Sequence, residues 1–214
     1  SVLTGANATS TASRSAGQNV TVMATAGDAS VNAATATAGT ASVTATGLAT
    51  LTTGNAGTNI VLTGADATST DALTAGQNAT VMATAGDANI NAATATSGTA
   101  SVTASGLASL TTGNAGTNIV LTGANATSTD SLTAGQNVTV MATAGDASIN
   151  AATATAGTAS VTASGLAALM TGNAGQDILL TGGSVTSETS LTGGRDVIVQ
   201  ATSGAATVNT ATAT

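Results

Sequence analysis

Asp28, Asp87 and Asp146 recur with a constant period of 59, the arrangement that a repeated cation site would have. If the intervening residues form three stacked strands, neighbouring carboxylates stand about 14 Å apart at the usual strand spacing. That is too far to share one Ca²⁺, whose oxygens sit at about 2.3–2.6 Å. A Gly-rich calcium nonapeptide is absent as well. These aspartates are therefore expected to form turns, and no metal site is expected. Glycoside hydrolysis calls for two carboxyls placed across a bond. Asp66 and Asp71 lie together in one unit, Asp130 stands alone in the next, and Glu188 is displaced in the last. The pair does not repeat, and no His, Tyr or Lys is present to assist it. Ser and Thr abound without a base to activate a nucleophile. The expectation is a non-enzyme with no catalytic residue, no cofactor and no cofactor-binding residue.

Two polar motifs remain. Asn32, Asn91, Asn150 and Asn209 recur in "VNAAT" and its variants. Pointing inward, their amides need partners; at a bend, they satisfy free backbone groups. Both alternatives stay open in the sequence. Thr-Ala-Thr triplets stand at Thr35–Thr37, Thr94–Thr96, Thr153–Thr155 and Thr210–Thr212. Thr is also a strand residue of high β-propensity, which accounts for an outward Thr without a ligand.

The elements that carry these residues follow from composition and repetition. Of 214 residues, 42% are apolar and 5% charged, which opposes disorder, since disordered chains are poor in apolar residues and rich in charge. Arg14 and Arg195 are the only basic side chains. Nucleic acid binding needs clustered Lys and Arg, and a membrane-surface helix needs a basic amphipathic face; neither partner is expected. No run reaches the roughly 18 apolar residues of a spanning helix. The aromatic girdles of an outer-membrane barrel are missing. Cysteine is absent, so no disulfide framework exists. The opening "SVLTGANATS" lacks a charged n-region and an apolar h-region, and it starts partway through a repeat. It reads as a segment of something longer.

Gly17, Gly76, Gly135 and Gly194 keep the same period of 59, and the stretch 17–58 differs from 76–117 at six positions of 42. Apolar residues stay apolar, as a patterned backbone requires. Within the unit, Ala-Gly pairs fall at spacings of 10, 12, 18 and 19, suggesting three turns with lengths of 22, 18 and 19. Each carries period-two stretches such as "NVTVMAT", "TASVTAT" and "TNIVLTG", bounded by Gly, Asn and Asp. Val and Thr content and a Gly in every ten residues or so oppose helix. A turn of about 20 residues with two or three short strands is one coil of a β-solenoid. The expected fold is all-β: a single domain over residues 1–214, a parallel β-solenoid of about 11 turns and about 50 Å in length, with a 59-residue super-repeat of three turns. Val20, Val22, Val31, Val43, Leu51, Ile60, Leu62 and their counterparts one and two super-repeats later are the expected core, with Leu48, Leu107 and Leu166 filling a corner.

"GTNIVLTGADATSTDALTAGQNATVMATAGDANINAAT" and the divergent "DILLTGGSVTSETSLTGGRDVIVQATSGAATVNTATAT" resemble haemagglutinin-type repeats of filamentous haemagglutinin-like adhesins. The resemblance covers the whole chain, and Gly182 to Ala201 carries the cadence best: Gly, a polar pair, alternating Val, Leu and Thr, then Ala or Gly. It implies a right-handed β-helix in a long bacterial surface or secreted protein, exported by two-partner secretion through an outer-membrane transporter. The chain departs from that pattern in having unusually identical repeats, no aromatic residue and only two basic ones. No export domain stands in these residues, so the secretion route comes from the resemblance alone. On this reading the chain is a stalk or shaft segment whose partners are flanking repeats of the same chain. Two alternatives accompany it. Exposed strand edges at the ends of a solenoid template association, which would make a self-assembling filament or matrix subunit by head-to-tail contact. The Thr-Ala-Thr triplets resemble the Thr arrays of ice-binding β-solenoids, with Thr44, Thr46, Thr50 and Thr52 available to complete a face, although a triplet comes only once in three turns.

Overall fold

A computed structural model describes the whole chain, Ser1–Thr214. It contains 24 strands and no helix, so no helix is present to cross a membrane. Successive strands alternate between two sheets. One sheet has 11 short strands, such as Val20–Ala24, Ala41–Ala45 and Ile60–Gly64; the other has 13, mostly long, such as Ala29–Ala36, Leu48–Ala56 and Asp66–Ala75. One short and one long strand make a coil, and coils stack through parallel pairing. The chain winds always in one sense, so equivalent strands of successive coils run the same way.

The long strands turn a corner. In Ala29–Ala36 the residues Ala29 and Val31 are buried and so are Ala34 and Ala36, while Asn32 and Ala33 face outward in succession. Breaking the period-two alternation rotates the second half of the strand against the first. In the last two coils the bend splits the strand outright, into Ser184–Ser187 with Ser190–Gly193 and Ala206–Val208 with Ala211–Ala213. The coil thus has three faces: the short strands (face one), the first half of the long strands (face two) and their second half (face three).

Val20 pairs with Ala41, Ala41 with Ile60, and Ile60 with Ala79, so the coils of one super-repeat have lengths of 21, 19 and 19. The total of 59 and the 11 turns agree with the sequence reading. The division into 22, 18 and 19 does not, because Ala36 rather than Ala38 is the residue paired with Ala16 and Ala56, and Ala38-Gly39 lies two residues further into its bend.

Alternation fixes the core. One continuous cluster of 54 buried residues runs from Ala8 to Leu191. Every expected core position lies in it, from Val20 and Val22 to Ile178 and Leu180. Leu48, Leu107 and Leu166 correct the reading: Leu48 is 39% exposed and Leu166 38%, with Leu107 partly exposed. Each immediately precedes an inward alanine (Ala49, Ala108 or Ala167), so period two turns it outward.

The interior leucines that sequence reasoning missed are Leu73, Leu132 and Leu191, all fully buried. They stand opposite Gly54, Gly113 and Gly172 of the neighbouring coil. A Cβ on Gly113 would lie 2.9 Å from Leu110 Cδ2, 3.0 Å from Leu132 Cδ2 and 3.1 Å from Ile119 Cδ1. The glycine is the hole into which three large side chains project. Gly113→Val is expected to destabilise the protein by about 1–3 kcal/mol through overpacking, read as a lowered urea midpoint; an unchanged midpoint would mean that the leucines repack freely. In the first coil Arg14 takes the leucine's place, opposite Ala34, and its Nη2 donates to Ser1 Oγ (2.7 Å) and the Val2 carbonyl (3.2 Å).

Three buried serines serve the corner. Ser69, Ser128 and Ser187 point inward, and their hydroxyls donate to the carbonyls of Thr52, Thr111 and Met170 (3.1, 3.0 and 3.4 Å). For the first two, the register shifts at this corner, between Thr50 and Gly54 and between Ser109 and Gly113. A hydroxyl there satisfies a carbonyl at the break in the ladder.

Candidate functional site

The residues with chemical potential are dispersed by the fold. Asp28, Asp87 and Asp146 stand at the corner between faces one and two, where Oδ1 accepts the backbone N–H of Leu48, Leu107 and Leu166 in the next coil (2.8, 2.7 and 2.7 Å). Their own N–H groups donate to Oδ1 of Asn7, Asp66 and Asn125 (3.0, 2.8 and 2.9 Å). These carboxylates work as turn formers, each tying one coil to the next. Asp66 begins face two, whereas Asp71 lies at its far corner and accepts from Thr53 Oγ1 at 2.9 Å; Asp130 does the same with Thr112 at 3.0 Å. Glu188 is exposed. No group of three His, Cys, Asp or Glu comes together.

Asn91, Asn150 and Asn209 resolve the open alternative in favour of the bend. All are exposed, and their Nδ2 groups donate across the corner to the carbonyls of Asp71 (3.4 Å), Asp130 (3.2 Å) and Glu188 (3.2 Å).

The one ion pair with good geometry joins Arg195 to Asp177, with Arg195 Nε donating to Oδ1 at 2.9 Å and a second bond from Nη2 to Oδ2. Arg195 holds the Asp177 carboxyl below its ordinary range. A folded-state pKa below the unfolded value stabilises the fold above the unfolded pKa of about 3.9, and that contribution disappears as pH falls through the folded value. The guanidinium is exposed, so the effect is small. Arg195→Gln is expected to lower the urea midpoint slightly at pH 7 and to leave it unchanged well below about pH 4, where Asp177 is protonated with or without its partner. An equal loss at both pH values would assign Arg195 a packing role instead.

The first threonine of the first three Thr-Ala-Thr triplets stands in an outward column of face three, Ser15, Thr35, Asn55, Thr74, Thr94, Asn114, Thr133, Thr153 and Asn173, in register from coil to coil. Thr35 faces outward on face three, but Thr37 lies beyond the strand end, where the next coil carries Gly57. Of the four accessory threonines, Thr44 belongs to face one and Thr46 to a bend. Thr50 and Thr52 lie on face two.

Face two carries outward polar residues as well. Its first outward column runs Thr9, Ser30, Thr50, Thr68, Asn89, Ser109, Thr127 and Ser148, in register through eight successive coils. Two residues further along each strand stand Thr11, Asn32, Thr52, Thr70, Asn91, Thr111, Thr129 and Asn150. No charged or apolar side chain interrupts either column until Ala168 and Met170 in the ninth coil. Face one carries Val61, Met82 and Val120 outward, and the other outward positions of face three mix Thr53 and Thr112 with Ala33, Ala72 and Ala92. Two shallow troughs of about 350 Å³ each open on face two, one around Thr68, Thr70, Asn89 and Asn91, the other around Thr11, Ser30, Asn32 and Thr52. The local signal was Thr-x-Thr with a buried middle residue, as in Thr50-Leu51-Thr52 and Thr68-Ser69-Thr70. Aligning those pairs requires the register between coils of unequal length.

Parallel coils of about 20 residues around one thin core define a β-solenoid repeat protein. Beyond that class, the chain matches no family model, no curated protein and no solved structure.

Proposed function

We propose that this chain is a stiff spacer: a shaft segment of a bacterial surface or secreted adhesin, in line with its resemblance to haemagglutinin-type repeats. The observation that supports the reading is the single core cluster continuing without a break from Ala8 to Leu191. A rod that bends must open core contacts on one side, and here no coil junction lacks them. Small uncharged outward side chains suit a spacer that projects another region while binding little itself. On the same reading, the flanking partners are further repeats, and export through an outer-membrane transporter belongs to the proposal.

Electron microscopy of the purified segment across a concentration series tests it. Uniform rods of about 50 Å, the length of 11 coils at strand spacing, support the shaft. Long fibres with a strand-spaced repeat would replace it with the self-assembling filament. Rods that bend freely would remove the mechanical role.

A further inference from the structure

We propose that face one is a pairing surface whose partner is a second copy of this chain, so that two rods lie side by side. This goes beyond the shaft reading, because it assigns a role to the outside of the rod rather than to its stiffness.

Two residues of each short strand face outward, as Thr21 and Met23 do in Val20–Ala24. In one outward column Met23, Met82 and Met141 are 40%, 43% and 42% exposed. The two coils between successive methionines carry Thr at the same place in the register, so the strand itself does not require Met there. In the other column Val61, Val120 and Leu179 recur at the same interval, separated by Thr and Ser. Val61 and Met82 are diagonal neighbours on adjacent strands, close enough for a long side chain to bridge. Five of the chain's seven exposed large apolar side chains lie on face one, and the other two, Leu48 and Leu166, stand at its corner with face two. Apolar side chains concentrated in this way mark an interaction surface.

The pattern selects the partner. A surface that meets all three methionines alike must itself repeat every three coils, about 14 Å at strand spacing, and a second copy does so. Face one is also complementary to itself. With one rod turned end for end about an axis along its strands, Val61 of each copy comes opposite Val120 of the other, and Val2 opposite Leu179. Each methionine then comes opposite a threonine, Met82 opposite Thr103 and Met23 opposite Thr162. A flexible thioether over a smaller side chain lets the two faces close at the usual sheet separation of about 10 Å. Ten strands of five residues cover about 48 by 16 Å, or roughly 800 Å², which is the area each partner contributes to a stable interface. No short strand holds a charged residue, so pairing buries no charge.

Sedimentation equilibrium of the purified chain across a concentration series tests the pairing, with Met82→Lys/Met141→Lys on face one compared with Thr74→Lys/Thr133→Lys on face three. The unsubstituted chain is expected to reach twice its monomer mass. The face-one variant should raise the dimer dissociation constant by about a hundredfold, since each lysine buries an ammonium without a counter-ion. The face-three variant should pair as the parent does, and both should retain its β circular dichroism. A monomer at every concentration overturns the proposal, as does a dimer that survives the face-one variant or an equal loss in both variants. Growth past the dimer that the face-one variant leaves unaffected is end-to-end contact and overturns it too. Should the lysines unfold the rod, peroxide oxidation of the unsubstituted chain decides instead. Met23, Met82 and Met141 should then oxidise more slowly as concentration rises while Met170, on face two, keeps its rate; no such slowing overturns the pairing.

Discussion

Leu132→Ala is expected to lower the unfolding free energy by about 4 kcal/mol, the upper part of the range for a buried leucine. Leu132 is fully buried, and the residue across the ladder from it is Gly113. A glycine brings no side chain to lean into the space, so the cavity stays open rather than collapsing. The loss should also be local. In a solenoid each coil contacts only its neighbours, so a weakened junction lets the flanking coils open without unfolding the rest. Hydrogen exchange after the substitution is expected to show reduced protection in Leu107–Ala115, Asn125–Ala134 and Ala147–Ala154. Val20–Ala24, several coils away, should keep its protection. A uniform loss along the rod would mean that it unfolds as one cooperative body. A cost below about 1 kcal/mol would mean that the core relaxes around the hole after all.

The second large effect lies at the corner aspartates. Substituting Asp28, Asp87 and Asp146 together by alanine removes three charge-assisted bonds to the N–H groups of Leu48, Leu107 and Leu166. At about 1–2 kcal/mol each, and with the sites about 14 Å apart at strand spacing so that their effects add, the triple variant should lose about 3–6 kcal/mol. Asparagine at the same three positions should be nearly neutral. The protein contains that comparison already: Asn7, Asp66 and Asn125 are equivalent residues, and their Oδ1 atoms accept the next coil's N–H at 3.0, 2.8 and 2.9 Å. An oxygen at the right place suffices, whether or not it carries charge. Urea denaturation of the two triple variants separates the outcomes. If asparagine costs as much as alanine, the charge itself stabilises the corner, and the geometric account fails. The neighbouring glycines support the geometric account, because a Cβ on Gly47, Gly106 or Gly165 would lie 2.2 Å from the carboxylate oxygen of Asp28, Asp87 or Asp146.

The sequence alone determined the strands, the number of coils and most of the core. Period-two alternation in stretches such as "NVTVMAT" dictates which side chain faces inward, and the 59-residue repeat copies that decision along the rod. Both are local properties, so one strand suffices to read them. The functions of Asp28 and Asn91 as corner residues were legible for a related reason, since Asp and Asn satisfy turn backbone wherever the chain must change direction. What only the tertiary structure decided is register. Leu48 and Leu73 are both leucines in strand-like sequence, yet one is outside and the other fully buried. The long strand breaks its own alternation at the corner, and no local pattern says where. The outward Thr columns of faces two and three were hidden by the same cause. Coil lengths run 21, 19 and 19, and the long strands shift register at their bends. Equal spacing in the sequence is therefore not equal position in space. Thr35 and Thr37, adjacent on paper, part at a corner, while Thr50 and Thr68 come together because hydrogen bonds between coils, formed only on folding, place them side by side.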